Sequence, residues 1–225
     1  MDQEPKILDL SLRAARCGRG QVGRVGGMVE ISSVQGEAQG RRSPVGRVLM
    51  AIARRWPTWL GLAFMGFTVL DLKDGRDAAL VVFLAALIYL ATAVTGRPGV
   101  VWPMFGASVV AVLVLRLLDF DPWPGLVGGA VCVAAVGLGG GLLRTPWLSA
   151  VQVPAMLVFG AASVAALSLS PAFGGCLVAA ALIGHATLDV IVWRRNKVVA
   201  RSLAEFCAAL DLPLGVAVLV LTFTV

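Results

Sequence analysis

The chain is 225 residues long, 58 % apolar and only 14 % charged, with a formal net charge of +6. A soluble domain carries about 25 % charged residues, and here the apolar residues fall in uncharged blocks of membrane-spanning length rather than in stripes. A soluble enzyme, a nucleic-acid-binding domain and a disulfide-rich secreted domain are excluded.

Residues 1–45 are polar, rich in glycine and serine, and carry both charge signs. They lack apolar periodicity, so they read as a disordered leader. No apolar h-region follows the basic residues, so this is not a secretory signal. Residues 46–55 form an amphipathic stretch (GRVLMAIARR) suited to a membrane surface, with its arginines toward anionic headgroups. Residues 56–225 make up the transmembrane domain.

The uncharged runs within that domain are 56–70, 78–96, 98–115, 122–143 and 145–188. The last is long enough for two spans, which SLSPAFGG at 168–175 divides into helices at about 147–169 and 172–193. The final run, 212–225, covers only about 21 Å of a hydrocarbon core of about 30 Å. Starting that helix at Ser202 restores the length and makes Ser202 and Glu205 a capping box. The fold class is therefore all-α: a multi-pass membrane bundle of seven transmembrane helices. Six spans with a re-entrant or interfacial tail is the alternative.

Basic residues gather at Arg41–Arg55 and Arg194–Arg201, with Arg97 and Arg144 between, and Asp71, Asp74, Asp77, Asp119 and Asp121 fall on the opposite loops. The positive-inside rule then puts the amino end in the cytoplasm and the carboxyl end outside a bacterial plasma membrane. The excess of Arg over Lys suggests a genome rich in G and C. Trp56, Trp59, Trp102, Trp123, Trp147 and Trp193 all stand near predicted helix ends, as an aromatic belt does.

Lipid offers no hydrophobic reason for helices to associate, so small residues that permit close approach matter. Gly125/Gly129 and Gly137/Gly141 form two GxxxG pairs. With the small residues of the next two helices they predict a tight inner bundle of the fourth, fifth and sixth spans. The glycines at 137–141 are not a phosphate loop, since no Lys-Ser/Thr follows.

Polar groups within spans are costly and are the functional candidates. His185 and Asp189 stand four apart on one helical face. Asp211 lies at a matching depth on the antiparallel last helix, and Pro213 disturbs the backbone beside it. Gln152 and Tyr89 fall in the same third of the membrane. These five residues are candidate substrate or proton-site groups. The bland alternative makes them interhelical hydrogen bonds, with Asp189 paired to the basic loop.

No cofactor is expected, and a lone histidine with scattered cysteines argues against a zinc or haem centre. No complete catalytic motif is present. Gly106-Ala107-Ser108-Val109 resembles a GxSG protease signature without its final glycine, so an intramembrane hydrolase on Ser108 and His185 is the weakest reading. The favoured reading is a small permease or ion-coupled carrier. A structural subunit that partners another membrane protein or a second copy of itself is the alternative. The lipid bilayer is the one partner common to all three.

Overall fold

The computed structural model describes residues 44–224. The leader lies outside the described residues, apart from its last two positions, which open α1. Residues Met1–Gly46 and Arg47–Val225 are separate units, and every site residue belongs to the second. Among the described residues all regular structure is helical.

The described residues form nine α-helices in order: α1 Pro44–Arg54, α2 Trp56–Asp71, α3 Ala79–Thr95, α4 Val101–Leu117, α5 Trp123–Gly139, α6 Trp147–Ala150, α7 Gln152–Ser168, α8 Pro171–Arg195 and α9 Arg201–Thr224. Short 3₁₀ turns at Gly75–Ala78, Pro98–Val100 and Leu142–Arg144 lead into α3, α4 and α6. Among the described residues five helical stretches are long and apolar enough to cross a membrane: Gly75–Thr95, Pro98–Leu117, Trp147–Ser168, Pro171–Arg195 and Arg201–Thr224. Trp123–Gly139 is apolar but shorter.

The predicted fifth helix, at about 147–169, is present as one helical stretch, Trp147–Ser168, with a single irregular turn at Val151, whose backbone stays helical (φ −65°, ψ −17°). Pro154 explains the irregularity: it has no N–H for the Ala150 carbonyl, and its ring crowds that turn. The predicted capping box is overturned. The Ser202 hydroxyl accepts from Trp102 Nε1 at 2.9 Å. Glu205 accepts from Thr58 Oγ1 at 2.6 Å and from Arg55 at 3.1 Å. Both side chains of the predicted box tie α9 to α4 and α2 instead, while the backbone of α9 starts on the Ala200 carbonyl.

The packing order also differs from the predicted one. The tight pair is α8 with α9, α2 lies along α9, and α3 packs on α7. The central helix is α3: 67 % of its apolar stretch is buried, against 11 % for Pro98–Leu117. Close approach is set by glycines outside the two predicted GxxxG pairs. A Cβ on Gly61 would stand 2.5 Å from the Phe206 carbonyl oxygen, and one on Gly215 would meet Ile183 at 3.0 Å. Nothing lies within 4 Å of a Cβ built on Gly125 or Gly129. Gly137 does pack, against Val94 and Leu142, and Gly141 takes a left-handed conformation (φ 77°) that turns the chain out of α5. The GxxxG spacing marks a possible close contact, and within this chain only one of the four glycines uses it.

The two ends of the bundle differ in chemistry. At one end Trp56 stacks on Trp102 with ring centroids 5.2 Å apart, and the Arg201 guanidinium lies 4.2 Å over the Trp193 ring. The opposite end carries Asp71 paired with Arg116 at 3.4 Å. There too, Asp74 caps the turn before α3. The hydrogen bond from Arg76 holds the Asp74 carboxyl below its ordinary range, and Arg76 also reaches the Leu169 carbonyl at 3.1 Å.

Candidate functional site

α3, α8 and α9 each bring polar side chains to one buried point. His185 and Asp189 share a face of α8 because four residues make just over one turn. Asp211 arrives from α9, which runs unbroken through Pro213. Tyr89 arrives from α3. His185, Asp189 and Asp211 are 0 % exposed and Tyr89 is 1 % exposed. The point lies about 15 Å along α8 from its Arg195 end, deep within an apolar surround.

His185 Nδ1 stands 2.9 Å from Asp211 Oδ2 and 3.3 Å from Asp189 Oδ2. Only the contact to Asp211 has hydrogen-bond geometry. The Tyr89 hydroxyl donates to Asp189 Oδ1 and so fixes that carboxylate from the far side. The imidazole is wedged edge-on between two aromatic rings, Tyr89 and Phe159, each with its centroid 5.2 Å away. Three buried atoms of the cluster lack a hydrogen-bond partner: His185 Nε2, Asp189 Oδ2 and Asp211 Oδ1. A buried polar atom without a partner costs about 1–3 kcal/mol, so the arrangement is expensive for something that only holds helices together.

Of the five predicted residues, the structure brings together Tyr89, His185, Asp189 and Asp211. Gln152 is buried but stays out of the cluster, because its Nε2 donates to the Leu148 carbonyl at 3.0 Å. That carbonyl sits beside the irregular turn at Val151, so Gln152 serves the local backbone. The bland pairing of Asp189 with the basic loop is also overturned, since its partners are Tyr89 and His185. The Ser108–His185 pair does not form: Ser108 Oγ donates to the Met104 carbonyl at 2.8 Å, and His185 Nδ1 faces the two carboxylates.

Two residues of the site escaped sequence reasoning. Cys207 is buried and lines a cavity beside Tyr89. Its place four residues before Asp211 puts it on the same face of α9, a spacing that could have found it. Phe159 has no signal in the sequence that separates it from any other apolar residue of its span.

Two cavities lie on the α2–α3–α4 side of the bundle, and neither is lined by His185, Asp189 or Asp211. A cavity of about 50 Å³ reaches Tyr89, Ser108 and Cys207. A wider cleft of about 420 Å³ opens among Asp71, Lys73, Asp77 and Arg116. Phe64, Val81, Leu84 and Val109 line both. α2 and α4 meet through Trp56–Trp102 at the basic end and through Phe64–Phe105 at mid-helix, and the cleft lies between them from Phe64 toward the acidic end.

Comparison with family models, with curated proteins and with solved structures gives no match to this chain.

Proposed function

We propose that the chain is a small permease or ion-coupled carrier, seated in the bacterial plasma membrane, whose binding point is the Tyr89–His185–Asp189–Asp211 cluster. One observation carries this reading: three ionisable side chains, fully buried, meet where two packed spans and a third cross, with polar atoms left unpartnered. Ionisable groups at such depth are expensive and mark ion or substrate pathways. The seven-span topology belongs to the same proposal. α2 and α5 supply the two spans beyond the five long ones. The basic end of the bundle lies in the cytoplasm, and the Asp71–Asp77 end faces out.

A carrier exposes its site to each side in turn, and Cys207 reports on that. With Cys17, Cys132 and Cys176 replaced, a small membrane-impermeant thiol reagent added outside modifies Cys207 in the folded protein. A Cys207 that stays unreacted from both sides until the protein unfolds refutes the carrier.

A second reading has its own support. Gly125, Gly128 and Gly129 of α5 have nothing near them, and the exposed Cys132 lies on the same face as Gly125 and Gly129. A bare small-residue face suits close approach by another helix, from a second copy or another membrane protein. Oxidative cross-linking through Cys132 in native membranes yields a covalent dimer if the neighbour is a second copy.

A further inference from the structure

We propose that His185, Asp189 and Asp211 bind a divalent first-row transition metal ion of the zinc class, and that this ion is the carrier's cargo. The second half rests on the carrier reading above; the binding site does not.

The donor set comes first. One atom from each of the three residues lies within 4.8 Å of the others. Around His185 Nδ1 the two carboxylate oxygens stand at 2.9 and 3.3 Å. Ligand atoms bound tetrahedrally at about 2.0–2.1 Å are spaced about 3.3 Å apart. Two of the three edges therefore already stand within about 0.4 Å of those of such a site, and the third, between the two carboxylates, is no longer than 4.8 Å, so an ion entering between them would draw the two aspartates together.

The unpartnered atoms point the same way. Asp189 Oδ2 is fully buried, faces Nδ1, and has no hydrogen-bond donor. A cation bound between the three residues would take that lone pair. The other oxygen of the same carboxylate is held by Tyr89. A donor on the second carboxylate oxygen is the arrangement that orients metal ligands elsewhere. Spacing on α8 fits as well, because ligands four apart on a helix present to one point.

Charge selects the valence. With both carboxylates ionised and the imidazole protonated, the buried cluster would carry a formal charge of −1. A divalent ion with two carboxylates and a neutral imidazole brings it to zero, the state that low-dielectric surroundings favour. Coordination uses the Nδ1 lone pair, so any proton held there leaves as the ion enters. An imidazole donor favours zinc, copper, iron or nickel over magnesium, and calcium wants six to eight oxygens. Three protein ligands leave a fourth position open, unlike the closed four-ligand sites in which zinc only braces a fold.

The test uses the full chain purified in detergent and freed of metal with a chelator. Calorimetric titration with Zn²⁺ gives one ion per chain, not displaced by excess Mg²⁺. Asp189→Asn and Asp211→Asn each weaken binding at least tenfold, while Asp74→Asn, on the loop before α3, does not. X-ray absorption at the zinc edge of the wild-type protein shows nitrogen and oxygen neighbours at about 2.0–2.1 Å, a readout that does not depend on the variants folding. A monodisperse wild-type protein that takes up no zinc overturns the site. Equal binding in both Asn variants overturns it too, as does a sulfur neighbour from Cys207. In proteoliposomes with an internal zinc indicator, wild-type protein admits zinc and Asp211→Asn does not. Zinc binding without flux, in a protein whose Cys207 does react, overturns the cargo assignment and leaves the carrier standing. Zinc binding with Cys207 permanently closed overturns the carrier and, with it, the cargo assignment.

Discussion

The contact between His185 and Asp211 can be weighed by a double-mutant cycle. His185→Leu removes the imidazole that faces two buried carboxylates, and a buried charge left without its partner costs about 3 kcal/mol at the lower end of such cases. Asp211→Leu is milder. The imidazole keeps Asp189 at 3.3 Å, so the loss is that of one hydrogen bond to a charged group, about 1.5 kcal/mol. Added independently, the two changes would cost about 4.5 kcal/mol. The double Leu variant fills the space with apolar atoms and leaves Asp189 with the Tyr89 hydroxyl. That removes both partners together and costs about 2 kcal/mol, since paired removal with apolar replacement is the cheaper operation. The expected coupling is therefore about 2.5 kcal/mol, above the average of about 0.6 kcal/mol for hydrogen bonds between spans. Unfolding by denaturing detergent, followed through the tryptophans, measures all four corners of the cycle. Additivity within about 0.5 kcal/mol would mean that the two helices present these side chains to separate surroundings, and the cluster would be dismissed.

Tyr89→Phe takes away the donor that holds Asp189 and leaves the ring against His185 in place, so the same assay shows a loss of about 1–2 kcal/mol; no loss would remove Tyr89 from the site. Among the glycines, Gly61→Val forces side-chain atoms against the Phe206 carbonyl and costs about 2 kcal/mol or more. Gly125→Ala meets nothing within 4 Å and gains up to about 1 kcal/mol from helix propensity; the opposite order would invalidate the packing described. For topology, single cysteines at Lys73 and Lys197, both exposed, react with an impermeant reagent from opposite sides of the membrane. Reaction of both from outside would refute the alternation of spans.

The class of object and the helices themselves were legible in the residues. Uncharged runs of spanning length need no tertiary information, because a backbone in lipid must satisfy its own hydrogen bonds and the helix does so locally. The meeting of His185 with Asp211 was legible for a related reason: a short loop makes α8 and α9 antiparallel neighbours, and helical rise then fixes depth. What the residues left open was which face of each helix turns toward which neighbour. In a chain this apolar almost every face looks alike, so no amphipathic stripe tells α3 that it is central or α5 that its Gly125/Gly129 face stays bare. Ser202 and Glu205 show the same limit, for their spacing fits a local cap while Trp102, Thr58 and Arg55 claim them from other helices. Gln152 was likewise placed at the right depth and lost to the backbone one turn away. Depth follows from counting along one helix, whereas rotation and neighbour follow from how all the helices pack, and that only the tertiary structure decides.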